Sequence, residues 1–299
     1  MNPASIQRDS ILLYLSHGRL RTRRKMEAGA VDSDIDPALL HVSKDILESP
    51  ELGVIQAHDN NTRTWVRARC LPSPFKGKGL MILPIALAEQ VDTKLEEFKQ
   101  QRQGLIEQFM VTYQQRKEEA RPRLASGYDE DDYPSETKVR RSFTFEHIMT
   151  TMETPGKLQT FNRRLYQKEL ARMDNVWRQA ADTITGALLD EFRKLTAHVS
   201  ERLAAGEDGK GKIFRDTTIT RLTDWLDLFT ARNLTSDTEL VEVVERARAL
   251  VKGVDVDSVR DSATLRAQLA TEFGSITQEI DKAIINRPTR AIEVEELGD

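Results

Sequence analysis

The sequence predicts a mostly α protein: an elongated helical bundle with two long, coiled-coil-like helices and a small β-hairpin insertion. Three observations predict it. An apolar stripe runs from Leu158 to Leu203 at helical spacing, a second from Ala88 to Phe109 repeats at the heptad period, and strand-like texture is concentrated between Thr62 and Leu83. The charged fraction of 31% against an aromatic fraction of 6% agrees, because long solvated helix faces use charged residues whereas compact sandwiches use aromatics.

Residues 1–25 read as a short amphipathic helix or arm carrying six Arg and Lys against one Asp. An acidic linker with Asp32, Asp34 and Asp36 follows. Asp36 and Pro37 then suit the cap and first position of a helix bearing Leu39, Leu40, Val42 and Ile46. The runs from Thr64 to Cys70 and from Gly79 to Leu83 are extended in character, with Pro72, Pro74, Gly77 and Gly79 between them, and predict a hairpin. It is expected to hold most of the β structure.

Pro84 opens a long helix in which Ala88, Val91, Leu95, Phe98, Arg102, Leu105 and Phe109 recur at alternating steps of three and four, the heptad period. Arg102 falls on that seam, where a polar residue fixes register or partner. The pattern ends before Pro122. Residues 122–157 form a long connection containing Tyr128-Asp129-Glu130-Asp131-Asp132-Tyr133-Pro134-Ser135 and the strand-like Ser142-Phe143-Thr144-Phe145.

The second long helix carries Leu170, Met173, Trp177, Ala180, Ile184, Leu188, Phe192, Leu195, Val199 and Leu203, a mean step of about 3.67, so it stays nearly straight and does not follow the heptad supercoil. From Leu158 onward it would reach roughly 70 Å. It is expected to act as a spine for the other helices. Three shorter helices follow: one capped by Asp216, one opened by a Ser236/Glu239 capping box and stopped at Gly253, and one carrying Leu265, Leu269, Ile276, Ile280 and Ala283. The organisation is therefore an amino-terminal region at 1–83, a long-helix pair at 84–205, a three-helix region at 206–286 and an acidic tail at 287–299 that reads as unstructured.

Function classes fall away one by one. Cys70 is the only cysteine, which excludes an intrachain disulfide and a cysteine-built metal site, fits a reducing compartment and reads as a structural thiol on a strand. The apolar run Ile11 to Leu15 is too short for a signal-peptide core, and nothing approaches the length of a membrane span. Gly206 to Lys212 matches seven positions of a phosphate-binding P-loop, but Ile213 replaces the hydroxyl that holds magnesium and a helix precedes it where a strand is needed. The Asp32-Asp34-Asp36 and Asp129 to Asp132 series lack the glycine or closing Glu of a calcium loop. No histidine pair has zincin spacing, and no Gly-x-Ser-x-Gly elbow occurs. No cofactor motif remains, and Trp65, Trp177 and Trp225 read as separate core anchors.

The order of several short pieces resembles a family of tailed-phage and bacterial proteins of about this length, classed as a domain of unknown function. The pieces are Val42-Ser43-Lys44, the Arg63 to Arg67 stretch with Trp65, Met81-Ile82-Leu83-Pro84, Tyr113, Tyr133-Pro134-Ser135 with Phe143, Lys212 to Asp216, and Asn233. The resemblance implies, through genes neighbouring such proteins, a part in a remodelling system driven by a MoxR-type AAA+ ATPase. It carries no catalytic residues.

The function expected is therefore a non-enzymatic interaction or scaffold protein in the cytoplasm of a bacterial host. Its helices would present an elongated surface to a protein partner, with the seam residues Val91, Leu95, Phe98, Leu105 and Phe109 packing within the chain or against a second copy, an AAA+ ATPase as one partner and no membrane involved. The alternative is a nucleic-acid-binding protein whose basic run Arg19, Arg21, Arg23, Arg24 and Lys25 meets phosphate. A third class is a hydrolase holding a divalent ion on Asp129, Asp131 and Asp132.

Overall fold

A computed structural model describes residues 3–26, 35–36, 39–153, 156–204, 215–254 and 256–285. The glycine-rich segment 206–213, Asp32 and Asp34 of the first acidic series, Pro37 and the tail 287–299 lie outside the described residues. The protein is mostly α, with long helices of 37 and 41 residues and a small antiparallel sheet.

The short helix expected at the amino terminus is present as α1 (Pro3–Asp9), but it gives way at once to a strand β1 (Ser10–His17) and does not extend over residues 1–25. β1 sits inside a four-stranded sheet of order β4-β5-β1-β6, with β4 at Leu71–Pro72, β5 at Leu80–Pro84 and β6 at Phe145–Thr150. Leu13 faces Met81 on one side and Met149 on the other. The run Ile11 to Leu15 is apolar throughout because both of its faces are covered. Leu12 joins the large core on one face, whereas Leu13 and Leu15 join a second core on the other. Gly79, at φ +83° with Leu15 O against it, makes the turn that brings β5 alongside β1.

A two-stranded ribbon pairs β2 (Arg23–Met26) with β3 (Val42–Asp45), in place of the helix expected after Pro37. The helix α2 (Pro50–Arg67) starts later, with Ser49 as its cap and Pro50 in its first turn. Thr64 to Arg67, expected as strand, is its last turn. The hairpin is thus only partly as anticipated: Leu71–Pro72 pairs with β5, and most of the β structure lies elsewhere.

Helix α3 (Ala88–Leu124) continues through Pro122 and lies antiparallel on α2. Between them and the sheet, Leu13, Leu15, Val66, Cys70, Leu83, Val91 and Leu95 form one core. Farther along, Ile55, Ile106, Phe109, Met110 and Tyr113 form another with Tyr133, Val139 and Phe143. Val139 belongs to a short helix α4 (Glu136–Ser142) in the connection.

The spine is shorter than expected. Asn162 adopts an extended conformation and its side chain accepts from Leu165 N, so a separate α5 (Lys157–Phe161) precedes α6 (Arg163–Leu203), which spans about 60 Å. α6 packs on α1, β4, α7 (Asp216–Arg232) and above all α10 (Ala263–Ile285). The expected long-helix pair is not formed as a pair, since α3 and α6 contribute to different cores on opposite faces of the sheet. Two caps shift by a residue. Arg215 precedes α7 and Asp216 is its first residue, while Ser236 takes φ +52° and leaves Asp237 to cap α8 (Thr238–Val251) through Leu240 N. A short α9 (Val256–Asp261) adds a fourth carboxyl-terminal helix.

Candidate functional site

The five seam residues are consumed within the chain. Val91, Leu95 and Phe109 are fully buried, Phe98 meets the edges of His58 and Trp65 on α2, and Leu105 flanks the core around Phe109. A heptad pattern records that a helix has a partner without recording which, and here it is α2.

Arg102, the polar seam residue, is only 1% exposed and Asp59 opposite it is 0% exposed. Arg102 Nε donates to Asp59 Oδ1 at 2.6 Å, and its terminal nitrogen donates to Gly18 O at 2.7 Å. Arg19 Nε reaches the other carboxylate oxygen at 3.1 Å. Gly18 is required by this close approach: a side chain there would run into Thr144 Oγ1 and Ser142 O, at 2.5 and 2.7 Å. The centre lies where the two α2–α3 cores meet, fixing the helix register and the β1–β2 corner together.

His17 stands beside this centre with its ring edge on Phe145 and both buried ring nitrogens unpartnered. Burial lowers its pKa to about 4, with Asp59 opposing and Arg63, Arg102 and Arg19 adding to the fall. The unfolded chain takes up this proton as pH drops below the ordinary 6.5 and the folded chain does so only near 4, so stability is lost progressively across that window. A loss on the order of 1–2 kcal/mol is expected, less than the shift alone gives because solvent still reaches the ring. Thermal unfolding between pH 6.5 and 4.5 reads it, and His17→Phe should flatten the slope. Glu51, held near 2 by Ser49 and Arg116, destabilises only in a lower window.

The basic run is not a free arm. Arg19 is tied to Asp59, Arg23 to Asp45 across the ribbon at 3.6 Å, and Arg24 to Asp132, which also takes Lys44 at 2.6 Å. Arg21 and Lys25 are exposed, and neither makes an ion pair among the described residues. The acidic connection is occupied in part: Glu130 pairs with Lys117 and Arg121, Asp132 with Arg24 and Lys44, and Asp129 accepts from Asp131 N. Among the described residues no group of three or more His, Cys, Asp or Glu is placed to hold a metal.

Cys70 is buried where α2 runs into β4, not on a strand, and burial pushes its thiol up to about 12, the setting of an inert cysteine. Trp177 and Trp225 are core residues as read, whereas Trp65 is half-buried beneath the Arg69 guanidinium at 3.7 Å.

A surface that the sequence reading did not single out is the amino-terminal end of α6. The stripe buried from Trp177 to Leu203 continues outward through Met173, Leu170 and Tyr166. The described part of α10, Ala263–Ile285, runs antiparallel to α6: Ser200 bonds Ala270 O, Thr277 meets Thr196 and Arg193 approaches Asp281. Beyond that level Leu170 is 37%, Leu165 41% and Phe161 83% exposed. From Lys157 to Arg172 the segment carries Lys157, Arg163, Arg164, Lys168 and Arg172 against Glu169 alone. The signal was present as the excess length of the predicted helix over any compact core.

Together these features define a mostly-α protein in which a small antiparallel sheet joins an α2–α3 hairpin on one face to a helical pack around α6 on the other. No described helix is long and apolar enough to cross a membrane. Comparison with family models, curated proteins and solved structures gave no match to this chain.

Proposed function

We propose that this chain is a non-enzymatic helical interaction protein that docks a protein partner of acidic, apolar-faced surface on α5 and the outer half of α6. The observation that carries the reading is three exposed apolar residues, Phe161 at the end of α5 and Leu165 and Leu170 near the start of α6, within the basic segment from Lys157 to Arg172. Charge favours an acidic partner over a second copy of the chain, because two copies meeting at this surface would set like charges against each other. The family resemblance of the sequence supports a subunit of an AAA+ remodelling machine as that partner.

A photoreactive phenylalanine analogue at Phe161 or Leu165 should give an adduct with one protein in the source cell. The same probe at Val111, an 85%-exposed apolar residue on α3, should not. With that protein purified, the triple variant Phe161→Asp/Leu165→Asp/Leu170→Asp should bind at least about tenfold more weakly, a modest loss for apolar anchors. Affinity should also fall with added salt. Equal adducts from position 111, or unchanged affinity in the variant, would refute the reading.

A further inference from the structure

The corner between β1 and β2 opens a cleft of about 610 Å³ lined by His17, Gly18, Arg19, Leu20, Arg21 and Ser142. Its charges do not balance. Arg19, Arg63 and Arg102 surround His17, and among the described residues the one carboxylate acting on that group is Asp59. Arg102 and Arg19 already share Asp59, and Arg19 uses only its Nε to do so, leaving the terminal nitrogens of its guanidinium to the cleft. Among the described residues Arg63 makes no ion pair, and its one hydrogen bond is a long one to Asn60 Oδ1 at 3.4 Å. Burial, then Arg19, Arg67 and Arg102, push the Arg63 guanidinium below its ordinary value, with Asp59 as the one carboxylate opposing them. Arg21 adds an exposed guanidinium at the mouth.

Partly buried cations are normally held by counter-charge, and a chain that gathers them without one gains when an anion supplies it. Guanidinium forks match the oxygens of a tetrahedral oxyanion better than any other common group, and a dianion would neutralise the excess. The neutral imidazole of His17 adds a polar wall with unpartnered nitrogens.

We propose that this cleft is a binding site for a phosphate group, held by Arg21 and the free end of Arg19, with the charge of Arg63 adding to the field from outside the lining. Its lining is confined to one corner, the consecutive residues His17 to Arg21 with Ser142, which favours inorganic phosphate or a phosphate monoester over an extended nucleic-acid backbone. It uses none of the α6 surface, so the docking reading and this one stand or fall separately.

Titration calorimetry of the full chain with sodium phosphate, against sodium chloride of equal ionic strength, tests the proposal. Saturable binding to phosphate and none to chloride is expected; Arg21→Ala should weaken it roughly 10- to 100-fold, as the loss of one charged hydrogen bond does, and Arg63→Ala, which withdraws only a nearby charge, should weaken it less. Arg21 is exposed, so its variant reports on binding even if Arg63→Ala disturbs α2. A single-stranded oligonucleotide distinguishes the source: competition with phosphate through the same arginines keeps the site and assigns the phosphate to a nucleic acid. Absence of saturable phosphate binding, or binding untouched in the Arg21 variant, overturns it.

Discussion

Replacing Asp59 with alanine is expected to destabilise the protein by about 3–5 kcal/mol. Asp59 accepts from Arg102 through both oxygens, and Arg102 has almost no access to water. Removing the carboxylate leaves a guanidinium buried between two apolar cores with Gly18 O as its remaining partner. Arg19, which is about one-third exposed, can turn to solvent; Arg102 cannot. A double variant, Asp59→Ala/Arg102→Leu, removes both charges and should recover most of the loss, because an apolar pair of suitable size replaces a buried ion pair at little net cost. Urea denaturation measures this as a shift of midpoint at constant slope. A single variant within about 1 kcal/mol of the parent would show that water reaches the centre.

The second large effect belongs to the other core. Phe192 is fully buried on α6 and lies parallel to Trp225 of α7, with ring centroids 4.7 Å apart and planes within 2°. Trp225 is held in place by its indole N–H, which donates to Glu191 Oε2 at 2.9 Å. Phe192→Ala removes the buried ring and opens a cavity beneath the indole, for an expected loss of about 3–5 kcal/mol. Phe192→Leu keeps most of the volume and should cost about 1.5 kcal/mol or less. Tryptophan fluorescence follows both, since Trp225 should move to a wetter environment in the alanine variant and not in the leucine one. Equal losses in the two would mean that the ring is not packed as described.

The carboxyl-terminal helices were legible because their apolar residues sit at helical spacing and face one core; Leu222, Leu226, Phe229, Leu240, Val244, Leu269, Ile276 and Ile280 are all buried. α2 was illegible for the opposite reason. Its inward positions are Ile55, Asp59, Thr62 and Val66, so the face that enters the core is half polar and gives no apolar period. Asp59 is satisfied by residues 40 and 43 positions away, a compensation that no local window contains. β1 was misread because a strand covered on both faces loses the alternation that marks strands. The same capping chemistry that suggested a helix at Asp36-Pro37 operates at Ser49-Pro50, where an apolar face and a partner helix are also present.

The basic run shows how far composition carries a site. Its clustering is real, but strand pairing distributes Arg23, Arg24 and Lys25 to different faces and neighbours, leaving Arg19 and Arg21 to line the cleft while the charge of Arg63 on α2 acts on Arg19. Sequence separation hid that grouping. The outer half of α6 was visible only as surplus length, since an apolar stripe reads the same whether the chain covers it or a partner does.

That surface is the centre of the account, and the affinity of the crosslinked partner for purified protein tests it most directly. Wild-type chain should bind and should weaken with salt, whereas Phe161→Asp/Leu165→Asp/Leu170→Asp should lose at least about tenfold in affinity with its thermal unfolding unchanged. Undiminished binding by the folded triple variant would contradict the assignment.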